Sequence, residues 1–381
     1  MKIGIVVNDL YTERSLFPNK IFAPYGLGIA LADALVDRGH EITFYGAPST
    51  KTKAALVGGD LSLVREVLEE KKQKPYDFAL TSPGEFKLIR YYFEAALIEK
   101  AYKDFLAGKI EIVHSYHGFL SIFIASLLSD DTMVMTIHDT IANNNKYFNK
   151  WLFSTHPSLN YVSLTHKQRL PLPDIDYVGN VYNGVDVDEF TFSEKPGEYL
   201  AFMGRIVREK GAHIAIETAK KLNMPLKIAG DNLGGRESDE YLLESVLPEC
   251  DGEQIEYVGY IEGKEKVAFF QNAKAVLFPI QWEEPFGMVM IEAMACGTPV
   301  IAFNRGSVPE VVDDKKTGFI VDTEEEMAAA VGHVDDISRE ACRKQVEEKF
   351  TTRGMAVQYE EIYQNVLNNT HGKQRKSSKD S

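Results

Sequence analysis

Short unbroken apolar runs alternate along this chain with longer stretches whose apolar positions recur at helical spacing, the pattern of parallel sheets wrapped by helices. Residues 2–7 read as the first strand and 40–45 as the second. A long loop through Pro18 and Pro24 connects them, reaching Tyr25-Gly26-Leu27-Gly28 before Ala30, Leu31, Ala34 and Leu35 set a helix that Gly39 ends. Further strands are expected at 111–114 and 133–137, separated by an apolar helix over 119–128. Residues 86–105 mix aromatics with Lys and Glu. That segment reads as an amphipathic helix packed on the sheet, a weak peripheral membrane contact being the alternative.

Asn183-Gly184 is a turn signal, and the composition then shifts through Thr191, Ser193, Pro196 and Gly197, as a linker does. After it the alternation restarts. Strands are expected at 199–203, 226–229, 255–258, 275–279, 299–303 and 318–321, with helices at 212–222 and 267–273. Thr323 followed by Glu326 forms a capping box, and two more helices follow over 342–350 and 355–367. Lys373, Arg375, Lys376 and Lys379 stand among serines, a composition too polar to pack and expected to be a disordered tail. The expected architecture is α/β, with two tandem Rossmann-like doubly wound domains facing a cleft. Its parts are 1–192, 193–350, a helix over 351–367 that packs back towards the first domain, and the tail 368–381.

Length agrees, because 381 residues exceed one ordinary core and suit two. Hydrophobic residues at 44% and charged residues at 26% give a soluble globular chain. A net charge of -14 and a pI near 5.2 argue against nucleic-acid binding, which needs a basic face for phosphates. The first apolar run is too short for a signal peptide, and no stretch reaches the length of a membrane span. Three cysteines, Cys250, Cys296 and Cys342, lack metal-like or disulfide spacing, so a cytoplasmic location is expected.

The chemistry concentrates between Glu283 and Thr298. Glu284 precedes a helix expected from Gly287, Glu292 lies inside it, and Gly297 can take the left-handed conformation that closes it. The free amides of Phe286, Gly287 and Met288 at the helix start attract anions, yet two carboxylates flank them. A ligand anionic at one end and rich in hydroxyls elsewhere reconciles the two, and a nucleotide sugar is such a molecule. In open α/β sheets ligands bind beyond the carboxyl ends of strands. Just after the strand 199–203 comes Gly204-Arg205, then Lys210-Gly211. Arg205 offers a planar fork for a diphosphate, Lys210 a point charge, and the glycines a close backbone.

Taken together, these motifs resemble the retaining glycosyltransferases of family 4, whose fold, GT-B, has two Rossmann-like domains. The resemblance rests on Gly204-Arg205 with Lys210-Gly211, Glu284-Pro285-Phe286-Gly287, Glu292 to Val300, Gly306-Ser307-Val308-Pro309-Glu310, and Asn183-Gly184-Val185-Asp186. It implies that Arg205 and Lys210 bind the donor diphosphate and neutralise the leaving group. Glu284 would hold hydroxyls of the donor sugar and Glu292 those of the ribose. Amides from Phe286 to Met288 would meet sugar or phosphate oxygens, and backbone from Val258 to Tyr260 would read the base. No metal or cofactor is expected.

For the first domain the resemblance implies an acceptor side. Its elements are the Gly26–Gly28 loop, where Leu27 stands in place of a second glycine, together with His117 and the pair His138-Asp139. His117 is taken as facing the reacting sugar, with His114 a buried strand-end histidine. Spacing at Gly26 and Gly28 misses the dinucleotide fingerprint. Asp174, Asp176, Asp186 and Asp188 read as solvated loop carboxylates, Glu283 as a surface residue, and a zinc site at His114 and His117 lacks a third ligand. The expected function is hexosyl transfer from a nucleoside diphosphate sugar, leaning to UDP-glucose, onto a small molecule, lipid or glycan. Rival readings are a nucleotide-sugar epimerase, a sugar phosphorylase, or a non-catalytic nucleotide-sugar-binding protein.

Overall fold

The computed structural model describes residues 1–18, 22–116, 120–128, 132–141, 147–231 and 236–377. The chain divides into two units, one of Met1–Val181 with Met355–Ser381 and one of Tyr182–Gly354. The crossing point therefore lies before Asn183-Gly184 rather than in the linker expected near residue 192. The first unit's described strands are β1 (Lys2–Val6), β2 (Glu41–Gly46), β3 (Ala55–Gly58), β4 (Ile112–Ser115), β5 (Met133–Ile137), β6 (Asn160–Ser163) and β7 (Tyr177–Asn180). They pair in the order β3-β2-β1-β4-β5-β6-β7, all parallel. The second unit holds β8 (Tyr199–Met203), β9 (Leu226–Ala229), β10 (Ile255–Gly259), β11 (Ala273–Phe278), β12 (Val300–Phe303) and β13 (Gly318–Val321). Their order is β10-β9-β8-β11-β12-β13, again parallel throughout.

Each order reverses direction once, between β1 and β4 in the first sheet and between β8 and β11 in the second. Such switch points open a crevice at the carboxyl ends of the two strands concerned. The central strands are apolar along their length, Ile3 and Ile5 of β1 and Leu200 and Ala201 of β8 being fully buried, because helices cover both faces of a parallel sheet.

The helices compare with the sequence reading as follows, two of them differing from it. The helix Ala23–Asp37 begins with Pro24 in its first turn, so Gly26 and Gly28 lie within the helix and not in a loop ahead of it. Gly28 is there for packing, since a Cβ would stand 2.6 Å from Cγ2 of Val7. The helix Pro83–Leu106 buries Phe86, Ile89, Phe93, Leu97 and Ile98 in the core and leaves Leu88, Tyr91 and Tyr92 exposed. No helix among the described residues is long and apolar enough to cross a membrane. Finally, the C-terminal helix runs over Thr352–Ser377, so residues 368–377, expected as tail, continue it.

Candidate functional site

In the second unit the switch point brings together the loops that follow β8 and β11. Gly204 and Arg205 leave β8 and a single turn, Arg208–Lys210, presents Lys210. The chain leaves β11 through Pro279 to Trp282, Glu283 and Glu284. Backbone hydrogen bonds fix the two loops to each other, the amide of Gln281 donating to the Glu209 carbonyl at 2.8 Å. Gly211, with φ of +79°, sits so close to the Pro279 carbonyl that a Cβ would be 2.3 Å away.

The side chains meet in a small cluster. Lys210 Nζ lies 2.5 Å from Glu284 Oε2, with side-chain exposures of only 13% and 12%. Trp282 Nε1 donates to the same carboxylate oxygen at 2.7 Å. Above the Trp282 ring stand the Arg205 guanidinium at 5.9 Å and the Lys210 ammonium at 5.4 Å. Three predicted residues, Arg205, Lys210 and Glu284, are thus neighbours although 79 positions separate the first from the last in sequence (284 − 205).

The helix that follows, Met288–Ala295, opens at Gly287, whose φ of +79° suits glycine and whose side-chain position would crowd Met290. The N-cap residue is a glycine and supplies no side-chain cap to this helix start, whose first amides are the kind of donors that anions accept. Phe286 is buried and its carbonyl accepts from Ser307 Oγ at 2.6 Å. Glu292 is buried within the helix and pairs with Lys266 at 2.6 Å. Lys266 escaped the sequence reading. The two carboxylates, Glu284 and Glu292, are therefore each paired with a lysine, and a ligand that engages them through hydroxyls must share or displace those partners. Glu283, expected as a surface residue, is exposed, and its carboxylate accepts the Gly306 amide at 2.7 Å, joining this loop to the one after β12.

Two more features surround the cluster. Gly230, after β9, has φ of +145°, and a Cβ would fall 1.8 Å from the Gly204 carbonyl, so only glycine lets the β8 loop sit there. Tyr260, beyond β10, donates its hydroxyl to Glu262 at 2.5 Å. Asp174, Asp176, Asp186 and Asp188 are exposed loop residues, as expected.

The first unit has its own polar group at the carboxyl end of β1. Arg90 bonds Asp9 at 2.6 Å and Glu94 at 2.8 Å. The sequence reading missed this triad because Asp9 and Arg90 are 81 positions apart. Burial raises the Glu94 carboxyl to about 7, against the pull of Arg90. His138 and Asp139 follow β5, His138 packing on Tyr116 with ring centres 4.7 Å apart and the Asp139 carbonyl accepting from Gln168 at 2.9 Å. His117 lies outside the described residues.

His114 is fully buried on β4, its Nδ1 2.6 Å from the Tyr363 hydroxyl and its Nε2 2.8 Å from Thr136 Oγ1. Tyr359 adds a 2.7 Å bond to Thr136. The C-terminal helix is thereby tied to the first sheet, and burial, followed by His138, holds His114 well below its ordinary pKa of 6.5. His114 and Glu94 act oppositely on stability. Below about pH 6.5 an unfolded chain binds a proton that His114 refuses, so acid destabilises the fold. Between 4.5 and about 7 the folded chain holds a proton on Glu94 that the unfolded chain releases, so acid stabilises it. The two slopes offset one another in the protein as it stands. Glu94→Gln leaves the histidine slope alone, and its urea midpoint should then fall from pH 6.5 to 5, by up to about 1.4 kcal/mol of stability per pH unit. A variant whose midpoint follows pH no more steeply than the parent would refute this balance.

Residues 187–353 match the family model of glycosyl transferases group 1. An uncharacterised protein from the cps region of Klebsiella pneumoniae is 31% identical over 43% of this chain and 45% of its own length. An uncharacterised glycosyltransferase of Methanocaldococcus jannaschii is 26% identical over 62% of this chain and 68% of its own. The match thus spans under half of the first of these relatives. Among solved structures, sucrose-phosphate synthase from Thermosynechococcus elongatus superposes with a TM-score of 0.71 at 17% identity, covering 96% of this chain and 99% of that one. HepE of Anabaena in complex with UDP and glucose gives 0.66 at 15% identity, over 95% and 98%. The two parallel-sheet units are those of the GT-B fold.

Proposed function

We propose that this chain, a glycosyltransferase with a group 1 domain over residues 187–353, moves a hexosyl group from a nucleoside diphosphate sugar to a hydroxyl acceptor with retained anomeric configuration. The observation that carries the reading is the meeting of Arg205, Lys210 and Glu284 at the switch point of the matched domain. UDP-glucose is the leading donor, since the HepE structure of like fold contains UDP and glucose.

In this reading the bond from the anomeric carbon to the phosphate oxygen breaks as the bond to the acceptor oxygen forms. The acceptor proton passes to the departing phosphate, so this reading assigns no side chain the role of base. Charge gathers on the diphosphate as it leaves, so Lys210 and Arg205 stabilise the transition state more than the bound donor. Glu284 orients the sugar hydroxyls and Glu292 the ribose hydroxyls, while amides from Phe286 to Met288 meet donor oxygens. The acceptor, a small molecule, lipid or glycan, belongs to the first unit, with His117, His138 and Asp139 as its candidate contacts.

Two cations at the leaving group make a metal dispensable in this proposal. Release of nucleoside diphosphate from UDP-, GDP- and ADP-glucose, with acceptor panels and with or without EDTA, tests it. Turnover with one donor that survives chelation is expected; complete loss on chelation would overturn the metal-free part, and no release from any donor the transfer itself.

A further inference from the structure

We infer that Trp282 is a positioning residue of the donor site, holding the sugar-facing carboxylate with its indole N–H and gathering the two diphosphate-facing cations on its ring. This rests on the donor reading above. Glu284 Oε2 accepts two hydrogen bonds, from Lys210 at 2.5 Å and from Trp282 Nε1 at 2.7 Å. An arriving diphosphate competes for Lys210. Once the lysine turns to phosphate, the indole N–H is the bond left on that oxygen, and the carboxylate keeps its place to receive sugar hydroxyls.

The ring answers a second problem. Arg205 and Lys210 carry like charges and must converge on one ligand, and Glu284 pairs with Lys210. The negative face of an indole attracts cations within about 6 Å of its centre. Both lie inside that range, at 5.9 and 5.4 Å. Their repulsion is thereby offset in advance of binding, which lessens the ordering that the donor must impose.

Backbone geometry makes this a fixed arrangement. The Glu284 amide donates to the Trp282 carbonyl at 2.9 Å, a tight turn that sets the spacing of ring and carboxylate. One residue earlier, the Gln281 amide bonds the Glu209 carbonyl, so the ring is registered against the turn that carries Lys210. A tryptophan that merely filled space would need neither its N–H directed at Glu284 nor two cations at its ring.

The experiment separates the two roles and uses the chain's own signal. It has two tryptophans, so Trp151→Phe leaves Trp282 as the sole tryptophan emitter. In that background, titration with UDP, GDP and ADP should change the emission saturably for the nucleotide whose sugar supports turnover, as the cations leave the ring. Trp282→Phe keeps the ring and loses the N–H; kcat with the working donor should fall roughly tenfold while nucleoside diphosphate affinity stays near the parent's. Trp282→Leu loses both, and should also weaken nucleoside diphosphate binding by roughly fivefold. An unchanged kcat in Trp282→Phe, or unchanged diphosphate affinity in Trp282→Leu, in a parent that turns over donor, overturns the role of Trp282 and leaves the donor reading standing. A parent that neither binds nor consumes any of the nucleotides removes both.

Discussion

Lys210→Ala should lower kcat by roughly a thousandfold and also weaken nucleoside diphosphate binding, whereas Glu284→Ala should lose comparable turnover and bind the diphosphate as tightly as the parent or more so. The asymmetry follows from the ion pair between them, 2.5 Å long and almost closed to solvent. Before the donor binds, each charge satisfies the other. In the proposed function donor binding takes Lys210 for phosphate and Glu284 for sugar hydroxyls, so the pair must loosen. Removing the glutamate frees the lysine for the anion but leaves the sugar without its anchor. Removing the lysine leaves a nearly buried carboxylate with only the Trp282 N–H and repels the incoming diphosphate. Isothermal titration with the diphosphate, beside steady-state kinetics with the full donor, distinguishes the two variants. Lys210→Ala with kcat within tenfold of the parent would remove Lys210 from the leaving-group site; Glu284→Ala with normal kcat would remove the glutamate from the sugar.

The strands that build the candidate site were readable because they are unbroken apolar runs. Leu226–Ala229 and Gly318–Val321 fall where the pattern put them, as does the helix Ala212–Leu222 between Gly211 and the left-handed Asn223. The capping box was readable too, with Thr323 accepting the Glu326 amide at 3.2 Å, although Glu326 returns its bond to Asp322 rather than to Thr323. Strands β3, β6 and β7 were missed. They are four residues each, with Asn, Ser or Gly at their ends, and they become strands only because a neighbouring strand offers a ladder. Gly26 and Gly28 misled because helix propensity counts against glycine, while at Gly28 the close approach to Val7 demands it. At the site, motifs located Arg205, Lys210, Glu284 and Glu292. They said nothing of Lys266, Trp282 or Gly230, whose roles arise from what folding places beside them. A local pattern names the residues of the proposed ligand contacts more readily than those that hold them.

Arg339 shows how far that support extends, and Arg339→Met should lower the melting temperature of the second unit by on the order of 10 °C. Arg339 is 8% exposed, and among the described residues its guanidinium has no carboxylate as a hydrogen-bond acceptor. It donates to the carbonyls of Ser193, Ala273, Gln271 and Cys296 and to Thr298 Oγ1, at 2.8 to 3.5 Å. Gln271 ends the helix Gly263–Gln271 that carries Lys266, and Cys296 closes the helix Met288–Ala295 that carries Glu292. Helix C-termini bear partial negative charge and unpaired carbonyls, so one buried cation satisfies both ends at once. It thereby fixes the two helices whose side chains form the Lys266–Glu292 pair. Methionine keeps the apolar stem and abandons the acceptors in a place closed to water, a loss of roughly 3–5 kcal/mol. Lysine should recover only part, because three donors on one nitrogen cannot reach acceptors spread around a planar fork. Trp282 emission in the Trp151→Phe chain reports melting of this unit alone. A methionine variant melting within about 2 °C of the parent would mean that water reaches those carbonyls, and the donor-side helices would then owe their register to their own packing.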